Sequence, residues 1–202
     1  MKKILFICAF ICIHQLSFCQ SANEWISLFD GKTFTGWRPN ENPSSFKIED
    51  GAIVVNGPTA HLFYDGEEAK HQFKNFDLKV KLMTTPGSNS GIYIHTQFQE
   101  NGWPEKGYEI QVNNSHTDWR RTASVYGLQD VKEIFVKDNE WFTEEIIVRG
   151  KKISVKINDK IVNEYTVPET GGRLNGGTFA LQAHDPKSKV FYKEVIVKLF
   201  PD

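Results

Sequence analysis

Short runs of alternating apolar and polar residues, closed off by turn dipeptides, recur along this chain. Nothing in it holds the longer 3.6-residue period of an amphipathic helix over a useful length. In 77–83, Leu78, Val80 and Leu82 point one way while Lys79 and Lys81 point the other. Phe46–Glu49 and Ala52–Val55 flank Asp50-Gly51, a strong hairpin signal. Segments 144–149, 152–157 and 160–165 read as a meander turning at Gly150-Lys151 and Asn158-Asp159. Further strands are expected at 25–29, 91–96, 107–113, 124–128, 178–183 and 190–199, with a glycine-bracketed loop between Gly171-Gly172 and Gly176-Gly177. The one helical candidate, 66–73, supports a turn or two. Many short strands without helical crossovers predict an all-β sandwich of two packed antiparallel sheets.

The first nineteen residues stand apart. Met1-Lys2-Lys3 is a basic start, 4–13 is apolar but too short to span a bilayer, and Ser17-Phe18-Cys19 puts small residues where a signal peptidase reads. This pattern predicts a signal peptide, 1–19, cleaved after Cys19, and one domain over 20–202 in the periplasm or outside the cell. Acylation of Cys19 is the competing expectation. All three cysteines, Cys8, Cys12 and Cys19, lie in the leader. The remainder therefore has no disulfide, catalytic thiol or thiolate metal site. The whole chain carries 24 basic and 25 acidic side chains. That balance argues against nucleic acid or an anionic membrane surface as partner, and no second apolar stretch suggests a membrane span.

Three segments carry an unusual outward face. Tyr93 and His95 lie opposite Ile92 and Ile94; Glu109, Gln111 and Asn113 lie opposite Ile110 and Val112; Gln182 and His184 lie opposite Leu181 and Ala183. The meander exposes mostly Lys and Glu, as an ordinary solvated sheet does. These three segments instead offer short or planar hydrogen-bonding groups that suit a concave, partly dehydrated surface. Glu109, Gln111 and Asn113 form a row with about 7 Å between neighbours. If the three strands share a sheet, that sheet has a ligand face suited to a polyhydroxylated molecule. Trp103 and Trp119, in the flanking loops, are placed to stack on a sugar ring or to anchor the rim. Arg120-Arg121 could meet an anionic or enolate oxygen or simply be solvated. His61, His71 and His116 read as surface residues.

The ordered motifs Leu28-Phe29-Asp30-Gly31-Lys32, Gly36-Trp37, Phe73-Lys74-Asn75-Phe76-Asp77-Leu78, Asn89-Ser90-Gly91-Ile92-Tyr93, Tyr108-Glu109-Ile110-Gln111-Val112, Tyr126-Gly127 and Leu181-Gln182-Ala183-His184 resemble those of the 3-keto-disaccharide hydrolase family. The resemblance covers nearly all of 20–202. It implies a concanavalin A-like jelly roll, one sheet concave, of the kind shared by laminarinase-type glycosidases and lectins. It implies as substrate a disaccharide or glucoside already oxidised to a ketone at sugar carbon 3. Members often carry Arg where this chain has His95, so a role at that position does not transfer.

A ketone at C3 acidifies the proton on C2. A base removes it, the C1 substituent leaves by elimination, and water adds to the resulting enone. Such a site needs a base, a positive group or metal near the C3 oxygen, and an acid for the departing oxygen. Jelly-roll glycosidases that work by double displacement carry Glu-x-Asp-x-Glu on one strand. The comparable row here is Glu109-x-Gln111-x-Asn113. It lacks the second carboxylate that a retaining pair needs about 5 Å away. Glu109, His95 and His184 are the candidates for proton transfer, and the same three could hold a divalent ion such as Zn or Mn. Tyr93, Gln111, Asn113, Gln182, Tyr126, Trp103, Trp119 and Arg120 are the candidates for substrate contact. The alternative is a non-catalytic, lectin-like carbohydrate-binding module; a purely adhesive sandwich is a third reading and predicts no pocket on this face.

Overall fold

The computed structural model describes residues 24–170 and 176–201. The expected leader, 1–19, and the glycines Gly171-Gly172 lie outside the described residues. Thirteen strands follow in order: β1 (Ile26–Ser27), β2 (Trp37–Pro39), β3 (Phe46–Glu49), β4 (Ala52–Val55), β5 (Ala60–Tyr64), β6 (Asn75–Thr84), β7 (Ser90–Thr96), β8 (Tyr108–Val112), β9 (Phe142–Arg149), β10 (Lys152–Ile157), β11 (Lys160–Thr166), β12 (Thr178–Ala183) and β13 (Val190–Phe200). They form two antiparallel sheets. The larger runs β11-β10-β9-β6-β13-β4-β3, with β1 also paired to β13; the smaller runs β2-β5-β12-β7-β8. The chain is an all-β sandwich, as the alternation requires.

The hairpin chemistry holds in detail. Asp50 and Gly51 both have positive φ (48° and 74°), as do Asn158 and Asp159 (47° and 68°). Positive φ at both central residues makes a tight turn whose twist matches the flanking strands. The core lies between the sheets. Phe76, Leu78, Val80 and Leu82 of β6 turn inward and meet Ile92, Ile94, Ile110 and Leu181 from the smaller sheet in one apolar cluster. Phe73, Phe76 and Phe179 interlock at one end, with ring centroids 4.4 to 6.5 Å apart.

Some expected elements differ. The helical candidate is a short 3-10 turn, Glu68–His71. The strand expected at 25–29 shrinks to two residues. Segment 124–128 is a turn pinned by bridges from Val125 to Ile110 and Gln129. It carries the backbone across the outer side of β8, where Ala123 and Tyr126 donate to the Gln111 and Glu109 carbonyls. The sequence pattern shows no strand at β5, yet β5 is an interior strand of the smaller sheet. All five of its residues are buried. A strand covered on both faces loses the alternation by which it would be recognised. β7 and β12 are likewise buried throughout, because loops fold over the outer side of this sheet.

Candidate active site

The strand register brings the polar side chains together. Tyr93 pairs with Glu109 across β7 and β8, and Gly91 with Gln111. On the other side of β7, Ala180 pairs with Tyr93 and Leu181 with Ile92. His61 of β5 pairs with Gln182 of β12. The outer face of the smaller sheet therefore carries His61, Gln182, Tyr93, Glu109 and Gln111 side by side.

Glu109 sits at the centre of this group. Tyr93 Oη donates to its Oε2 at 3.0 Å and Gln182 Nε2 to its Oε1 at 2.9 Å. Gly91 makes room for it: a Cβ at position 91 would stand 2.5 Å from Glu109 Oε1 and 2.8 Å from its Cγ. Burial pushes the Glu109 carboxyl above its ordinary range. The Gln182 and Tyr93 donors and nearby His184 pull the other way, and Asp118 adds to the rise. The result is a desolvated carboxylate held by neutral donors, the state in which a carboxylate becomes a stronger base.

The cleft around it has a volume of about 230 Å³ and is lined by Asn89, Tyr93, Trp103, Glu109, Gln111, Tyr126, Gln182 and His184. Gln111 Nε2 donates to Asn89 Oδ1 at 2.9 Å, which fixes both amides. His184 Nδ1 lies 2.8 Å from Asp185 Oδ2. The Trp103 indole rests against His61 and His184, with centroids 5.5 and 5.6 Å apart, while staying 47% exposed. It forms the wall of the cleft between them.

Seven of the residues singled out from sequence meet here: Tyr93, Trp103, Glu109, Gln111, Tyr126, Gln182 and His184. Four do not. His95, expected beside Tyr93, is turned away. Its φ is 52°, and the β7–β12 register slips between Thr178 and Ala180. The bulge reverses the alternation at that point. The His95 ring packs on Phe76 in the core at 5.6 Å and its Nε2 lies 3.0 Å from the Lys74 carbonyl. Gly107 and Gly177 make space for the bulged backbone; a Cβ at either would fall within 2.7 Å of the His95 carbonyl carbon. The trio His95, Glu109 and His184 is therefore not assembled as a metal-binding set. Among the described residues no group of three or more His, Cys, Asp or Glu side chains could hold a metal ion.

Asn113 is buried beyond the end of β8. It donates to the Asp118 and Arg120 carbonyls and accepts from the His116 N–H and Arg121 Nη1. All its hydrogen-bonding capacity goes into shaping the loop over 114–121. Arg120 is held by Asp118 and Asp130 at 3.4 and 3.3 Å. Its guanidinium lies over both Trp119 and Tyr126. Arg120 thus bridges the Trp119 and Tyr126 rings, and neither Trp119 nor Arg120 is on the cleft lining.

Sequence reasoning missed others. His61 is not a surface residue but fully buried. Burial lowers its imidazole to about 4, so it is neutral, and neither ring nitrogen has a partner among the described residues. His116 packs on His184 at 5.7 Å. Asn89 and Asp185 also belong to the site; the adjacency His184-Asp185 was the available signal for the second.

A two-sheet antiparallel sandwich with a carboxylate, an imidazole and amides gathered on one outer face places the chain among jelly-roll-type proteins with a polar cleft. The chain belongs to the family described as the 3-keto-alpha-glucoside-1,2-lyase-like domain, whose model matches residues 24–198. A 3-keto-disaccharide hydrolase of Bacteroides thetaiotaomicron is 31% identical over 177 residues, an alignment that takes in 71% of this chain and 59% of that protein. The chain thus spans less than two thirds of that relative's length. A Parabacteroides distasonis protein, provisionally described as a glycosyl hydrolase, superposes with a TM-score of 0.73 at 22% identity over 88% of this chain and 94% of its own. A carbohydrate-binding module of Bacillus subtilis gives 0.59 at 12% identity over 81% and 95%. These two likenesses show the shared fold.

Proposed function

We propose that this chain cleaves glycosides whose sugar carries a ketone at C3, by proton abstraction at C2. The observation that carries the reading is Glu109: the one carboxylate among the described residues of the cleft lining, desolvated between two neutral donors. Double displacement needs two carboxylates about 5 Å apart. Proton abstraction needs one base whose affinity for protons has been raised.

In this reading Glu109 takes the C2 proton, and the C–H electrons form an enolate on the C3 oxygen. The C1–O bond then breaks, and the protonated imidazole of His184 gives its proton to the departing oxygen. Water adds to C1 of the enone, its proton passes to His184, and Glu109 returns a proton to C2. The sum is hydrolysis, with both protein groups restored. In this reading Asn89 and Tyr126, both on the cleft lining, supply the donors for the C3 oxygen. The Gln111 and Gln182 carbonyl oxygens, which have no partner among the described residues, are acceptors for sugar hydroxyls or for water drawn into the cleft. Trp103 offers an apolar wall to the ring. The likeness to a carbohydrate-binding module supports the sugar but supplies no reason for a carboxylate pushed up by burial.

The test supplies a 3-keto-glucoside beside its unoxidised parent and follows released sugar. The wild type is expected to turn over only the keto form, and Glu109→Gln and His184→Ala to abolish release. Unchanged rates in both variants would sink the assignment; binding of both sugars without release would favour the lectin-like module. We further propose export with loss of the leader after Cys19, which N-terminal sequencing of the exported protein checks.

A further inference from the structure

Asp185 follows directly on His184 and its two oxygens have separate tasks. Oδ1 accepts the Lys187 and Ser188 N–H groups at 2.8 and 3.2 Å and builds the turn after β12. Oδ2 accepts the Ser188 hydroxyl at 2.7 Å and faces His184 Nδ1 at 2.8 Å. The Ser188 hydroxyl in turn accepts the Asn89 N–H at 2.9 Å, so the turn is tied to the cleft wall. The His184 ring is held on its flanks by Trp103 and His116, and its carbonyl accepts the Thr59 hydroxyl.

A carboxylate at this position can only accept. Burial works to raise the Asp185 carboxyl, but the Ser188 hydroxyl, His184 and the Lys187 amide outweigh it and bring it to about 2. It is ionised across the neutral range. An ionised acceptor 2.8 Å from Nδ1 keeps a proton on that nitrogen and leaves Nε2 as the nitrogen free to exchange one.

We propose that Asp185 is a positioning residue: it holds the proton on Nδ1 of His184, so that Nε2 gives a proton to the departing oxygen and takes one from the incoming water. The role in turnover rests on the reaction proposed above; the tautomer is a property of the protein alone. In the first step the imidazolium loses its Nε2 proton and keeps Nδ1–H. In the second, Nε2 accepts a proton from water and the imidazolium is restored.

The experiment is long-range 1H–15N NMR of the histidine-labelled protein, with His184 assigned by the signals lost in His184→Gln, alongside steady-state kinetics on a 3-keto-glucoside. Neutral His184 in the wild type is expected to be the Nδ1–H tautomer. Asp185→Asn keeps an oxygen for the turn but presents an amide N–H to Nδ1, which drives the ring proton to Nε2. Its kcat is expected to fall on the order of 10²–10⁴-fold with KM within about threefold, a split that loss of packing alone would not give. A wild-type His184 protonated on Nε2 overturns the proposal, and that spectrum decides even if the variant fails to fold. Tautomer exchange in Asp185→Asn without loss of kcat overturns it too, while the proposed reaction stands. The expected tautomer in a wild type that cleaves no 3-keto-glucoside would instead bring down the reaction, and Asp185's part in it.

Discussion

The outer faces of the two sheets are built from the same alternation and end in opposite states. On the larger sheet, Glu145 of β9 is nearly covered, its side chain 7% exposed, yet it lies between Lys79 and Lys156 at 3.6 and 3.5 Å. Around it Lys81 and Glu194 pair at 3.5 Å in the open. On the smaller sheet, Glu109 is covered by loops and met by a phenol and an amide. Glu145 has an ammonium group on either side as an ion-pair partner. A carboxylate desolvated among neutral groups can act as a base. What separates structural from chemical glutamate here is the charge of the neighbours and the cover above them.

The sharpest break of this comparison is a paired substitution. Glu109→Gln is expected to lower kcat on a 3-keto-glucoside by about 10³-fold or more, below detectable release, with folding intact. Glu145→Gln is expected to leave turnover unchanged and to cost stability on the order of 1 kcal/mol; equal effects on turnover would erase the distinction. The acid limb of kcat/KM tests the same point. The base works ionised, so activity is lost as pH falls, and the limb is expected above the ordinary carboxylate range because burial raises Glu109.

His61 sharpens the comparison from the stability side. Its ordinary pKa is 6.5 and burial brings it to about 4 in the folded protein. As pH falls, the unfolded chain binds the proton first. The stability this neutral histidine contributes is therefore present above about pH 6.5 and is lost toward pH 4, by about 3 kcal/mol. Urea titrations across that range should show the loss, and His61→Gln should flatten it; an unchanged slope would mean that His61 is charged or exposed. Gly91→Ala puts a methyl against the Glu109 side chain and is expected to cost about 10- to 100-fold in kcat/KM by moving the carboxylate off Tyr93 and Gln182. Lys81→Gln, on the solvated face, is expected to change the unfolding free energy by less than about 0.5 kcal/mol.

The sandwich was legible because β6, β8 and the meander β9–β11 each keep one solvated or polar face, and because Asp50-Gly51 and Asn158-Asp159 name their turns. β5 was not, since its covered outer face removed the alternation. The same cover hid His61, whose identity suggests a surface position until Trp103 is seen to lie over it. Glu109, Gln111, Gln182, Tyr93 and His184 could be read as one face because their spacing stays regular. His95 broke the pattern through a single bulge, and nothing local in Ile94-His95-Thr96 announces it. The glycines that accommodate it, Gly107 and Gly177, are distant in sequence. Asn113 was misplaced for another reason: β8 ends one residue earlier, and a short amide past a strand end serves the loop.

The central claim is that Glu109 removes the C2 proton, and exchange at that carbon measures it most directly. Turnover of a 3-keto-glucoside in deuterium oxide, read by NMR before the free product can exchange unaided, should place deuterium at C2 of the released sugar. Glu109→Gln should neither exchange nor release it. Sugar released by the wild type with its original C2 hydrogen in place, and at the same rate whether the substrate carries hydrogen or deuterium at C2, would contradict the account.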